Sequence, residues 1–210
     1  MKRKFLLHSL HLAIKVILTP NDQDDKLNVF TIGNMMDKAI IHLAQGKEID
    51  KLSLQKGVFL YLLSISARRN YDFKKVAQIA AFEPYKFGPF SELLEGEIEQ
   101  LKGYNEIKSY GNKDEHEKIK SSEMAAVNYK LEKDEQEIMK NIKFLIDNLT
   151  PVELAFYVYF NPAIDESVRD YFTSNSEIKE KLRNRRQRFV KTLKNKNVID
   201  DEVADLIIYG

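Results

Sequence analysis

Between Lys179 and Lys196 the chain concentrates Lys179, Lys181, Arg183, Arg185, Arg186, Arg188, Lys191, Lys194 and Lys196 against the single acid Glu180, a segment of charge +8. The whole chain sums to +1, so everything else carries −7 and the near-neutral total hides an electrically polarised molecule. Arg183, Arg185, Arg186, Arg188, Lys191 and Lys194 are candidates for binding nucleic acid or an acidic partner. Each phosphate they neutralise would add salt-dependent affinity, and an acidic protein face would be held by the same charges. The plain alternative is a solvated helix paired with acids elsewhere in the fold. Leu182, Phe189, Val190 and Leu193 give that helix a narrow apolar contact.

Catalytic chemistry finds less support. The chain has no cysteine, which removes disulfides, thiolate zinc sites and cysteine nucleophiles together. His8 and His11 share a helical spacing, but no third ligand sits at a familiar distance, so no metal is expected. His42 falls at the edge of an amphipathic pattern, and His116 lies among Asp114, Glu115 and Glu117 as a solvated residue. The glycines form neither a phosphate loop nor a dinucleotide fingerprint, and no Gly-x-Ser-x-Gly elbow occurs. Glu95, Glu97 and Glu99 alternate around a helix, and a solvated face is expected of them. The reading is a binding protein that is not an enzyme and needs no cofactor.

The stretch Phe82-Glu83-Pro84-Tyr85-Lys86-Phe87-Gly88-Pro89-Phe90-Ser91 stands apart. Two prolines fix φ and disfavour helix before them, and Gly88 can take backbone angles closed to other residues. Four aromatics in so short a span make it a rigid, packed corner, not an ordinary polar linker. The competing reading is a buried loop whose rings only plug the core.

These residues must be positioned by helices. At 210 residues and 43% hydrophobic content the chain can bury a real core. The fold expected is mainly α, a multi-helix domain with a small β-hairpin, or wing, near 104–131. Residues 5–18 suit a helix or, over 14–18, a strand; a basic start there raises a signal peptide, which the interrupting His8, His11 and Lys15 argue against. A polar break at 19–28 sets off this N-terminal arm, 1–28. Helices are expected at 31–45, from Ser53 to about Asn70 with Leu54, Val58, Tyr61, Leu62 and Ile65 on one stripe, and at 74–81. Ser91 caps the next helix, ending near Gly103, and 107–110 and 127–131 are the strand candidates, although 121–128 also suits a helix. Helix resumes over 133–149; Thr150-Pro151-Val152-Glu153 starts another, Ser174 and Glu177 open a basic helix at about 176–195, and Asp200 caps the last.

Leu54-Gln55-Lys56 on an apolar helix, followed about thirty residues later by the 82–89 corner, resembles the Panacea-type, or SocA-like, antitoxin domain over roughly residues 30–160. Leu154-Ala155-Phe156-Tyr157-Val158-Tyr159 is similar to a further helix of that family, while Phe90-Ser91 opening a helix at once resembles its winged-helix-like versions. The resemblance implies a mostly helical fold, an occurrence in toxin–antitoxin, phage or mobile-element loci, and a neutralising protein partner instead of catalysis. It makes Lys56, Tyr85, Phe87, Gly88 and Pro89 the hallmark surface or core. On it rests a division into 29–165 as the Panacea-like domain and 166–210 as a C-terminal basic helical segment. The expected function is thus a cytoplasmic antitoxin-like protein that binds a protein partner such as a toxin, with no membrane association. The alternative is a winged-helix-like DNA-binding regulator in which the 91–102 helix and the 104–131 segment approach the duplex and the basic helix adds backbone contacts, although Glu92, Glu95, Glu97 and Glu99 on the 91–102 helix would repel phosphates.

Overall fold

A computed structural model describes residues 27–85, 87–111, 117–160, 164–172, 180 and 183–209. The arm, His8, His11, Lys86, His116 and the 174–177 capping box lie outside the described residues. The fold is mainly helical, with α1 Val29–Leu43, α2 Lys51–Arg69, α3 Phe73–Ile79, α4 Glu92–Gly103, α5 Glu123–Asn128, α6 Lys133–Asn148, α7 Pro151–Phe160, α8 Glu166–Phe172, α9 Arg186–Asn195 and α10 Asp201–Tyr209. Among the described residues no helix is long and apolar enough to cross a membrane.

The architecture is organised around α2. Its expected apolar stripe is too narrow a description: every residue from Ser53 to Ser66 is buried, with α1, α3, α6 and α7 packed on it. A helix enclosed on all sides must also bury its polar side chains, and Ser53, Gln55, Lys56, Ser64 and Ser66 are all inside. Its start also moves, because Asp50 accepts from Ser53 N at 2.8 Å; Ser53 is capped instead of capping. At the far end Asn70 turns into the left-handed region, φ 57°, after Arg68 and Arg69 at the negative pole of the helix.

Other ends follow the local code. Ser91 Oγ accepts from Leu94 N, Asp200 accepts from Val203 N, and Thr150 and Glu153 cap each other reciprocally. Helix α8 occupies what the sequence presents as a polar stretch; Asp165 caps it and Val168 anchors it.

The small hairpin is present in a different register from the one expected. Strands β4 Ile107–Tyr110 and β5 Lys118–Ser121 pair antiparallel, and β1 Ile49–Asp50 adds to β5, giving the order β1-β5-β4. The second strand is therefore the charged tract and not 127–131: Ile119 and Ser121 point inward between exposed Lys118 and Lys120, and Ser122 then caps α5. A second, two-stranded pairing joins β2 Phe82–Glu83 to β3 Phe90–Ser91 and closes the corner as an antiparallel loop.

Candidate functional site

The residues that α2 and the corner hold in common meet in space. Gln55 clamps the end of the corner by accepting from Ser91 N and donating to Ser91 O, both at 3.1 Å, while donating also to Glu95 at 2.8 Å. Ser91 Oγ in turn donates to Ala80 O at 2.6 Å, tying the far strand to the end of α3. From α7, the Tyr159 hydroxyl donates to Tyr85 O at 3.0 Å, and Gly88 N donates to the same carbonyl at 3.0 Å. Burial raises the Tyr159 pKa to about 12, so this hydroxyl keeps its proton.

Inside this joint lies Lys56, 2% exposed. Gly88, at φ 102°, passes directly over it: a Cβ there would stand 3.1 Å from Lys56 Cε and 3.8 Å from the Tyr159 ring. Lys56 Nζ has one long bond, 3.5 Å to Leu52 O. Burial lowers its pKa to about 8, only partly opposed by the field of Asp50.

The aromatics divide into two sets. Phe82 packs edge-on against Phe59, which also meets Phe73, and this set is buried. Tyr85 contacts Phe87 and Phe90, with ring centroids 6.3 and 5.4 Å apart. Tyr85 and Phe87 nevertheless remain 41% and 38% exposed, and Leu52, one turn before Lys56, is exposed as well. The corner therefore plugs the core with one set of rings and presents the other outward. Of the residues that carry the resemblance, Lys56, Gly88 and Pro89 are interior and Tyr85 and Phe87 are surface.

The basic segment is arranged differently from the long helix expected. Residues 184–185 form a turn and α9 begins only at Arg186, which lets Phe189 stack on Phe156 of α7 at 4.7 Å. Arg183, Arg185, Arg186 and Arg188 converge on one hollow of about 570 Å³. Lys194 and Lys196 are instead paired, with Asp201 and Glu153 respectively. Lys191 is exposed one turn before Lys194.

The alternating glutamates of α4 are less solvated than expected. Glu95 pairs with Lys51, which also pairs with Glu117; Lys102 joins Glu117 and Glu99. Burial pushes the Glu117 carboxyl up, but Lys102 and Lys51 together hold it below its usual range. Glu97 faces Asp37 of α1, whose pKa rises to about 7, through burial first and then this like charge. His42 donates from Nε2 to Tyr129 O at 2.7 Å and sits, half-buried, at the lip of a second hollow of about 670 Å³ against α6. On the hairpin, Lys108 and Lys120 are directly opposite and exposed.

Sequence reasoning missed Gln55 as the clamp, Tyr159 as the second tie, and the burial of Lys56; the only signal was polarity inside an apolar helix. Comparison with family models, with characterised proteins and with solved structures finds no match to this chain.

Proposed function

We propose that this protein is a non-catalytic, antitoxin-like binding module that neutralises a protein partner through the outer face of the 82–91 corner. One observation supports this above the rest: Tyr85 and Phe87 stand exposed on a backbone that Gln55, Tyr159 and the β2–β3 pairing hold in place. Aromatic side chains dominate the energetics of protein interfaces. A surface already fixed in its bound shape avoids ordering loops and rotamers on association. The reading also draws on the family resemblance of the motif, which implies a partner-neutralising role.

A recognition-helix role for α4 has weaker support, since Glu92 and Glu99 are exposed on it and its one basic side chain, Lys102, is engaged with Glu117 and Glu99. The deciding test is co-expression with the product of the adjacent gene, read as growth. Wild type restores growth, whereas Tyr85→Ala/Phe87→Ala, confirmed as folded by circular dichroism, loses at least ten-fold in viable count, the consequence of removing about 1.4 kcal/mol or more of binding. A neighbouring product that cells tolerate without this protein overturns the proposal, as does a double variant that neutralises fully.

A further inference from the structure

The arginine hollow at the start of α9 is independent of the corner and has a different character. Among the described residues its walls are Arg183, Asn184, Arg185, Arg186, Gln187 and Arg188, and Ile208 of α10 is the one apolar side chain that reaches it. Arg186 lies 5.8 Å from the Phe160 ring centroid, and Phe189 stacks on Phe156, so the floor is anchored to α7. Among the described residues no carboxylate pairs with Arg183, Arg185 or Arg188. The contrast lies within one segment: toward its C-terminal end Lys194 and Lys196 have carboxylates, and toward its N-terminal end Arg183, Arg185 and Arg188 have none among the described residues.

That arrangement is electrostatically unfavourable in the absence of an anion. Arg183, Arg185 and Arg188, with no carboxylate on them among the described residues, share one concavity, and they gather at the positive pole of a helix dipole, where cations are destabilised. The energy is recovered when an anion enters. Guanidinium forks match the oxygens of phosphate, and the Asn184 and Gln187 amides add neutral donors. A protein interface would need a buried apolar or aromatic centre, which among the described residues Ile208 alone does not provide. A free nucleotide would need an apolar or stacking surface for its base, and among the described residues the lining holds no ring on which to stack one. Several phosphates in sequence satisfy the hollow best.

We infer that this hollow binds the sugar–phosphate backbone of a nucleic acid, without base readout. The test uses the full chain and a fluorescent duplex of about 20 base pairs of arbitrary sequence, titrated between about 50 and 200 mM salt. Wild type binds at the low end, and affinity falls log-linearly with salt. Arg183→Ala/Arg185→Ala/Arg188→Ala removes exposed side chains and leaves Arg186 on Phe160. It is expected to weaken binding at least ten-fold and make the salt slope shallower by about 2–3, one increment of about 0.9 per lost phosphate contact. The inference is overturned by no binding at low salt, by an unchanged isotherm in the triple variant, or by poly-glutamate displacing the duplex as well as unlabelled DNA does. Loss of binding in Lys108→Ala/Lys120→Ala with the arginine triple unaffected would move the site to the hairpin and equally refute the assignment to the hollow.

Discussion

Helix α2 delivers side chains to two buried ions, and they are treated in opposite ways. Near its C-terminal end Arg69 reaches Glu135, a wholly buried carboxylate at the start of α6. Glu135 also takes Lys38 from α1 at 3.2 Å and the backbone N–H of Glu132 at 2.8 Å, the reciprocal half of a capping box. Near the N-terminal end Lys56 is almost as deeply buried but has a single long bond to a carbonyl of its own helix. The Glu135 clamp ties three helices together and satisfies its charge. Lys56 holds an ammonium at a cost, and it does so directly beneath the Gly88 backbone of the corner. An unmatched buried ion beside the proposed binding face is the kind of perturbed group that clusters at functional sites, whereas a fully matched charge is architecture.

The largest test of that contrast is removal of the matched ion. Glu135→Ala leaves Arg69 and Lys38 facing a vacated buried site and removes the cap, so urea denaturation is expected to show a loss of about 3 kcal/mol or more. Glu135→Gln, which keeps the acceptor for Glu132 N but not the charge, is expected to lose less. Equal losses would mean that shape and not charge holds the three helices.

The unmatched ion has the opposite sign. Lys56→Met keeps the stem under Gly88 and removes the ammonium. Because burial lowers the folded-state pKa to about 8 from 10.5, the charged form is penalised fully below pH 8 and not at all above pH 10.5. At pH 7 the substitution should therefore stabilise by about 3 kcal/mol. The gap between variant and wild type should close as pH rises through that window. A destabilised Lys56→Met would break the comparison, since it would mean Lys56 is as structurally matched as Glu135.

Little of this contrast is legible in the sequence. Lys133-Asp134-Glu135-Gln136-Glu137 reads as a solvated helix start, and nothing local says that Glu135 faces Lys38 and Arg69 across the core. Capping residues were readable because their partners lie within three positions: Ser91, Thr150 and Asp200 behave as local chemistry dictates. Gln55 and Ser91 lie 36 positions apart, so their mutual clamp exists only once α2 and the corner have packed. Strand β5 was concealed for the same reason, since Lys118-Ile119-Lys120-Ser121 becomes a strand by pairing with β1 and β4. The corner's rigidity could be read from two prolines and a glycine, but not which rings would turn outward.

A smaller effect separates backbone strain from contact with Lys56. Gly88→Ala and Gly46→Ala both place a Cβ at positive φ, 102° and 86°, but the new atom at Gly46 meets nothing within 4 Å. Gly46→Ala should cost about 1 kcal/mol from the backbone alone. Gly88→Ala should cost more, about 1–2 kcal/mol, because its Cβ also presses on Lys56 Cε at 3.1 Å. Equal losses in thermal unfolding would show that Lys56 yields freely and that the corner does not confine it.

Asp37 and Glu97 form the intermediate case, a half-buried carboxyl facing a like charge, and, after burial, the field of both also raises the pKa of Tyr129. The folded-state pKa of Asp37, about 7, lies above its ordinary 3.8, so the folded protein binds the extra proton and loses stability as pH rises between those values. Asp37→Asn removes the titration. Water reaches this pair and screens it, so a gain of about 1 kcal/mol is the scale expected, read as a melting temperature about 2–4 °C higher at pH 8. Below pH 4 variant and wild type should coincide. A gain that persists unchanged at pH 4 would place the effect in packing or hydrogen bonding and not in charge. The repulsion between α1 and α4 would then be too weak to rank between the matched Glu135 and the unmatched Lys56.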